Sequence, residues 1–274
     1  MKLNIQKALV VAAILSVASS AAKAQFSAYK DGEAVVNMAK TIPDSVTFYF
    51  PEITQEPDFT LVGGSVPKVS ESIDLGLSVK WAPWNIGASE PSDYGKYFMW
   101  GEVSPKKDVD GIYGNYYWDT YCFYNQSAKQ TIMFKYNDAD GKTTLEPSDD
   151  AATANWVGKW RMPTQAELAE LSNEDNCVWT WTDNYNESGH CGYVVKSKKA
   201  GYEGAVLFLP AAGLRRRMGH GDEGSIGYYW SSGLYPGNSY YARNLYFEAD
   251  YCSADYESDR CIGFSVRAVC TPAE

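Results

Sequence analysis

The 274-residue chain has 34 acidic against 24 basic side chains, a formal net charge of −10, with 45% hydrophobic and 15% aromatic residues. So acidic a surface repels phosphate backbones and anionic headgroups, which argues against nucleic acid or a lipid surface as the main partner. The length suits one large domain with a small appendage.

Lys2 and Lys7 precede an apolar run from Ala8 to Val17, and Ala22-Lys23-Ala24 supplies small residues before a cleavage point. This predicts a secretory signal peptide over 1–24 and a mature chain from Gln25. No later stretch approaches the length of a membrane helix, so no membrane insertion is expected. No cysteine follows the cleavage point, so no lipid attachment is expected either. The expected location is secreted, periplasmic or at the cell surface. In such a compartment Cys122, Cys177, Cys191, Cys252, Cys261 and Cys270 are expected to form disulfides, and 15 pairings are open. Without a close Cys pair, and with only His190 and His220, no metal and no cofactor are expected.

In residues 25–50, FSAYKDGEAVVNM reads as strand–turn–strand about Lys30-Asp31-Gly32, and SVTFYF as a further strand alternating at Val46, Phe48 and Phe50. A hairpin this small is not stable alone, so it must dock or pair with an assembly partner. Residues 51–70, rich in Pro with a Gly-Gly pair and several acids, read as a linker, and the main domain as 71–274. There IDLGLSVKWAPWNIGA predicts a strand and a turn, KYFMWGE an aromatic strand, and 103–150 long loops. KYNDADGKTTLE imitates a calcium loop, but its first and twelfth ligand positions fall on Tyr136 and Pro147, so it reads as a polar turn. In WRMPTQAELAEL, Thr164 with Glu167 forms a capping box and Leu168 with Leu171 an apolar stripe, predicting a helix from about Gln165 to Ser172. CGYVVKS, GAVLFLP, YYWSS, YYARNLYFE and IGFSVRAVC follow as strands. The order gives an α+β class rather than a parallel βαβ fold.

Residues 228–256 hold eight of the 21 tyrosines, interspersed with Ser, Gly and Asn. Rigid amphipathic rings among small polar residues are the vocabulary of adaptable binding loops, although Tyr also suits half-buried strands. The candidate ligand-binding residues are Tyr228, Tyr229, Tyr235, Asn238, Tyr240, Tyr241, Arg243, Tyr251, Asp255 and Tyr256. Period-2 alternation puts Tyr240, Ala242, Asn244, Tyr246 and Glu248 on one face, and Tyr241, Arg243, Leu245 and Phe247 on the other; one of these faces is core. Asp149-Asp150, Asp222-Glu223 and His220 sit in no catalytic motif, and adjacent acids usually mark solvated turns. The basic run Leu214-Arg215-Arg216-Arg217-Met218 could clamp a carboxylate or sulfate. A solvated loop balancing Asp222 and Glu223 is the preferred reading.

IDLGLSVKWAPWNIGA, YFMWGE, NWVGKWRMPTQAELAEL, FLPAAG, YYWSS and GFSVRAVC, in this order over about residues 71–271, resemble the Fibrobacter succinogenes major paralogous domain family of secreted and surface proteins of Bacteroidetes-type bacteria. The resemblance implies a C-type-lectin-like domain, a compact α+β body with long loops. It implies that Trp160, Arg161, Pro163 and Thr164 open the helix, and that Trp230, Phe264, Val266 and Arg267 lie on terminal core strands. It also implies a Cys177–Cys270 bridge. A local bridge between Cys252 and Cys261, flanking a polar turn, is a further candidate. The sugar-binding calcium motifs of such lectins are missing, and no motif carries over the cysteine pair of the formylglycine-generating oxidases. The expectation is an exported, non-enzymatic ligand-binding module for a protein or glycan ligand. The alternatives are a structural or adhesin subunit of a surface assembly, and after that a carbohydrate-active enzyme.

Overall fold

The computed structural model describes residues 25–30, 33–39 and 62–271, except 108–113, 127–130, 157 and 218. The chain divides into two compact units, Met1–Thr54 and Gln55–Glu274. In the first, β1 (Gln25–Lys30) and β2 (Glu33–Ala39) pair antiparallel, with Lys30 opposite Glu33; the expected turn residues Asp31 and Gly32 lie outside the described residues. The expected signal peptide, the SVTFYF strand and residues 51–61 lie outside the described residues.

The second unit is mostly antiparallel sheet with few helices. In chain order it contains β3 (Lys80–Trp81), β4 (Tyr124–Gln126), β5 (Thr131–Met133), α1 (Ala151–Asn155), α2 (Gln165–Ser172), β6 (Cys177–Thr182), β7 (Gly192–Ser197), β8 (Val206–Pro210), β9 (Leu214–Arg216), β10 (Gly219–Gly221), β11 (Gly227–Leu234), β12 (Tyr241–Glu248), β13 (Tyr251–Asp259) and β14 (Val269–Cys270). Two three-stranded sheets, β6-β7-β8 and β11-β12-β13, carry most of the pairing, and β4-β5, β9-β10 and β14-β3 are two-stranded. Among the described residues no helix is long and apolar enough to cross a membrane.

Helix α2 forms as the local pattern dictates. Thr164 Oγ1 accepts from the Glu167 amide at 3.2 Å, and Glu167 accepts from the Thr164 amide at 2.8 Å. Arg161 grips the same carboxylate at 2.5 Å, while Leu168 and Leu171 are buried. Around it the core falls into three clusters, of which Tyr97, Met99, Tyr116 and Tyr121 belong to the smallest. Trp100, Trp156, Trp160, Trp230 and Phe264 centre one of the larger two, and Leu168, Leu171, Val195, Leu207, Leu245 and Phe247 the other.

Where regular pairing is sparse, buried carbonyls still need donors, and long side chains supply them. The indoles of Trp100, Trp230 and Trp160 donate to the carbonyls of Ser231, Phe98 and Pro67 at 2.9, 2.8 and 3.1 Å. Arg260 and Arg267, both buried, reach the carbonyls of Lys135, Tyr136 and Ser239, and of Ala82 and Pro83. Residues 260–270 run through the middle of this network. Phe264 pairs with Phe98, Gly263 with Arg215, Ser265 with Tyr229, and Val269 with both Trp81 and Arg161.

Four expectations need correction. KYFMWGE makes only a single bridge, Phe98 to Phe264, because its neighbours bond to scattered segments. The stretch 103–150 is not all loop, since it holds β4, β5 and short 3-10 turns at Trp118–Thr120 and Pro147–Asp149. Residues 62–70 are not linker. Val62 is buried, Trp84 Nε1 donates to the Ser65 carbonyl at 2.8 Å, and Trp160 holds Pro67.

Fourth, none of the six cysteines is bridged. Cys252 lies within the extended β13 and Cys261 just past its end, with no turn closing them together; at about 3.3 Å per residue the strand holds them roughly 20 Å apart, against the ~7 Å a disulfide tolerates. Cys177 packs with Leu168 and Leu171, as Val269 does, whereas the next residue, Cys270, turns into the tryptophan cluster. Alternation along β14 therefore points the Cys270 thiol away from Cys177.

Candidate functional site

The tyrosine-rich segment builds the β11-β12-β13 sheet, and its bulges decide which rings reach solvent. Tyr228 lies opposite Tyr246, and the β12–β13 register slips between Asn244 and Tyr246. Ala242 and Asn244 are buried before the slip, Leu245 and Phe247 after it. Each face of β12 is therefore core over half its length: Tyr241 and Arg243 are the open positions on the face of Leu245 and Phe247, and Tyr246 and Glu248 those on the face of Ala242 and Asn244. Alternation through YYARNLYFE holds; the extra residue lies in β13, where Ser253 to Tyr256 spans Asn244 to Tyr246, and it brings Tyr256 to the same face as Tyr251.

On the outward side Tyr246 stacks on Tyr256 at 4.7 Å, meets Tyr228 edge-on at 5.3 Å and approaches Tyr251 at 5.9 Å. Tyr251 and Tyr256 are 50% and 41% exposed, so these rings are available to a ligand. Tyr228 also stacks on buried Phe264 at 4.7 Å and donates to Asp222 at 3.2 Å, which anchors the cluster to the core. Burial, and after it the Asp222 carboxylate, pushes the Tyr228 hydroxyl well up; burial and Glu248 do the same to Tyr246. Both therefore stay neutral donors across the physiological range.

The ten sequence candidates do not form one site. Tyr228, Tyr251 and Tyr256 belong to this cluster. Tyr235, Tyr241, Arg243 and Asp255 form another: the guanidinium lies 4.7 Å from the Tyr235 ring centre and 2.5 Å from Asp255, with Glu257 at 3.9 Å. Tyr229 is a core residue whose hydroxyl donates to the Pro210 carbonyl at 2.7 Å. Tyr240 packs edge-on to Trp118 at 5.5 Å, and Asn238 closes the β11–β12 turn by accepting from the Tyr240 amide at 3.0 Å. The candidates left out Tyr246, the centre of the cluster, which shares its face with the buried Ala242 and Asn244 and is open only because the core ends before it.

The other candidates have structural tasks. Asp150 caps α1 and accepts from the Met162 amide at 2.8 Å, and Asp149 holds Lys135 and the Tyr136 hydroxyl. Glu223 pairs with Arg215 and lies 3.1 Å from His220 Nδ1. In the basic run, Arg215 lies over the Tyr97 ring and Arg217 over the Tyr117 ring, at 4.1 and 3.8 Å. In the calcium-like loop, Asp140 accepts from the amides of Tyr136, Asn137 and Lys142, so its carboxylate holds the turn. Among the described residues there is no cluster of three or more His, Cys, Asp or Glu side chains able to hold a metal ion.

Beside Tyr251 a cleft of about 340 Å³ opens, with Trp179 and Tyr193 in its walls. Its cysteines are unreactive at neutral pH: burial pushes the Cys252 thiol to about 12 and Cys177 to about 11. The site therefore offers aromatic faces, tyrosine hydroxyls and carboxylates, with no activated nucleophile. No family model, curated protein or solved structure matches the chain.

Proposed function

We propose that the chain is an exported, non-enzymatic ligand-binding module of C-type-lectin-like fold, taking a protein or glycan ligand on the tyrosine cluster of β11-β12-β13. The observation that carries this reading is the gathering of Tyr228, Tyr246, Tyr251 and Tyr256 on the outward side of one sheet. The sheet holds these rings rigid, so they offer contact area at low entropic cost, and their hydroxyls orient what binds. The fold reading is supported by a mostly antiparallel body with long connections and a short capped helix opened by Trp160–Thr164. The test is a glycan array and a partner pull-down with wild type and with Tyr246→Leu/Tyr256→Leu. Binding by the wild type and its loss in the variant are expected; a variant that binds normally would refute this surface.

A structural or adhesin role draws on the β1–β2 sheet, since two strands alone are marginal and gain from pairing with another chain. Removing residues 1–54 would then abolish self-association in sedimentation while leaving the second unit folded.

A further inference from the structure

The cleft beside Tyr251 has the chemistry of a cation site. Its aromatic walls are fixed by their own hydrogen bonds. Trp179 Nε1 donates to the Leu171 carbonyl at 2.9 Å, and the Tyr193 hydroxyl to the carbonyls of Glu248 and Ala249 at 3.1 and 3.0 Å. The two rings meet edge to face at 5.2 Å. With those polar atoms engaged, the ring faces of Trp179 and Tyr251 are what the aromatic side of the cleft offers a ligand, and ring faces attract cations.

The rim adds negative charge. Glu174 and Asp250 both line the cleft, and neither carboxylate has an ion-pair partner among the described residues. Lys198 lines it too, its ammonium bonded to the Glu174 carbonyl at 2.5 Å, so the cleft sets two carboxylates against one ammonium and stays net negative. Burial is the main cause that pushes the Tyr193 hydroxyl up, so it stays a neutral donor to the Glu248 and Ala249 carbonyls. A volume of about 340 Å³ is at the small end of ligand sites and suits a single side chain.

We propose that this cleft receives an arginine side chain from a basic segment of a partner protein, the planar guanidinium lying against Trp179, Tyr193 and Tyr251 and pairing with Asp250 and Glu174. Arginine fits better than lysine because its flat, weakly hydrated head stacks on rings while its fork meets a carboxylate. The assignment rests on the reading of the chain as a ligand-binding module and names the ligand's chemistry.

The test uses the full chain and fluorescence anisotropy with a labelled Gly-Arg repeat peptide at physiological salt, beside its citrulline isostere and its lysine counterpart. Saturable binding of the arginine peptide is expected, weakened about tenfold by Asp250→Asn/Glu174→Gln and by Tyr251→Leu, with the citrulline peptide silent. Equal binding of the citrulline peptide would overturn the proposal. So would arginine-peptide binding that survives both variants, which would mark a diffuse acidic surface. Glycan binding that depends on Tyr246 and Tyr256, without arginine-peptide binding, would sink the cation assignment and leave the module standing. Silence towards every ligand would sink both.

Discussion

Arg267 donates from Nε to the Asn85 side-chain oxygen at 2.8 Å, joining the end of the chain to a loop 182 residues earlier. Both side chains are buried, and the remaining bonds of Arg267 go to the carbonyls of Ala82 and Pro83. Burial lowers the Arg267 pKa to about 10, so the guanidinium stays charged at neutral pH and depends on these acceptors. Asn85→Ala removes one of them and is expected to cost about 2–3 kcal/mol, read as a lower urea midpoint with unchanged slope.

Tyr229 and Tyr246 separate the two uses of tyrosine in this sheet. Tyr229→Phe deletes the bond to the Pro210 carbonyl and is expected to cost about 1 kcal/mol without altering ligand binding. Tyr246→Leu is expected to do the reverse: little change in Tm and a marked loss of binding. Paired thermal melts and binding isotherms on the two variants check this.

The unbridged cysteines give a count. Labelling denatured, unreduced protein with a thiol reagent is expected to modify all six, and prior reductant is expected to leave Tm unchanged. Mass spectrometry showing a labelled count of four would reveal one bridge.

Glu167 carries an acid sensitivity. Burial raises its pKa, but the bonds from Arg161 and from the Thr164 amide outweigh this, and the net shift is downward from 4.5. A depressed carboxyl contributes stability that is fully present above its unfolded value and is lost as pH falls through its folded one. The wild type is therefore expected to lose about 1 kcal/mol through this group below pH 4.5, and Glu167→Gln to lack that component. Urea midpoints of the two proteins at pH 7 and pH 3.5 show the difference.

What could be foreseen in the chain was what depends on neighbours in sequence. Helix α2 was legible because Thr164, Glu167, Leu168 and Leu171 carry the cap and the stripe within eight residues. The antiparallel pairing that sets Lys30 opposite Glu33 was legible for the same reason. KYFMWGE has a strand's composition, but its pairing belongs to Phe264 and Arg260, and no local pattern announces that. The tyrosine cluster was half legible. Composition located it, whereas the slip between Asn244 and Tyr246 that selects its members arises from packing between strands. The cleft joins residues from β6, β7 and the β12–β13 turn and left no mark in any one stretch.

The path of residues 260–270 also sets an order of events. Trp81, Phe98, Arg161, Arg215 and Tyr229 all wait for backbone partners that lie within this last segment. A nascent chain that has delivered everything up to residue 259 can form hairpins and α2 but cannot close the body around them. Commitment to the native state is therefore late and all at once, driven by contacts of very long sequence separation and slow for that reason. Until then the polypeptide remains extended enough to be threaded, cut or captured by a chaperone, and a cut before residue 260 would convert the whole body, not merely its end, into a protease substrate.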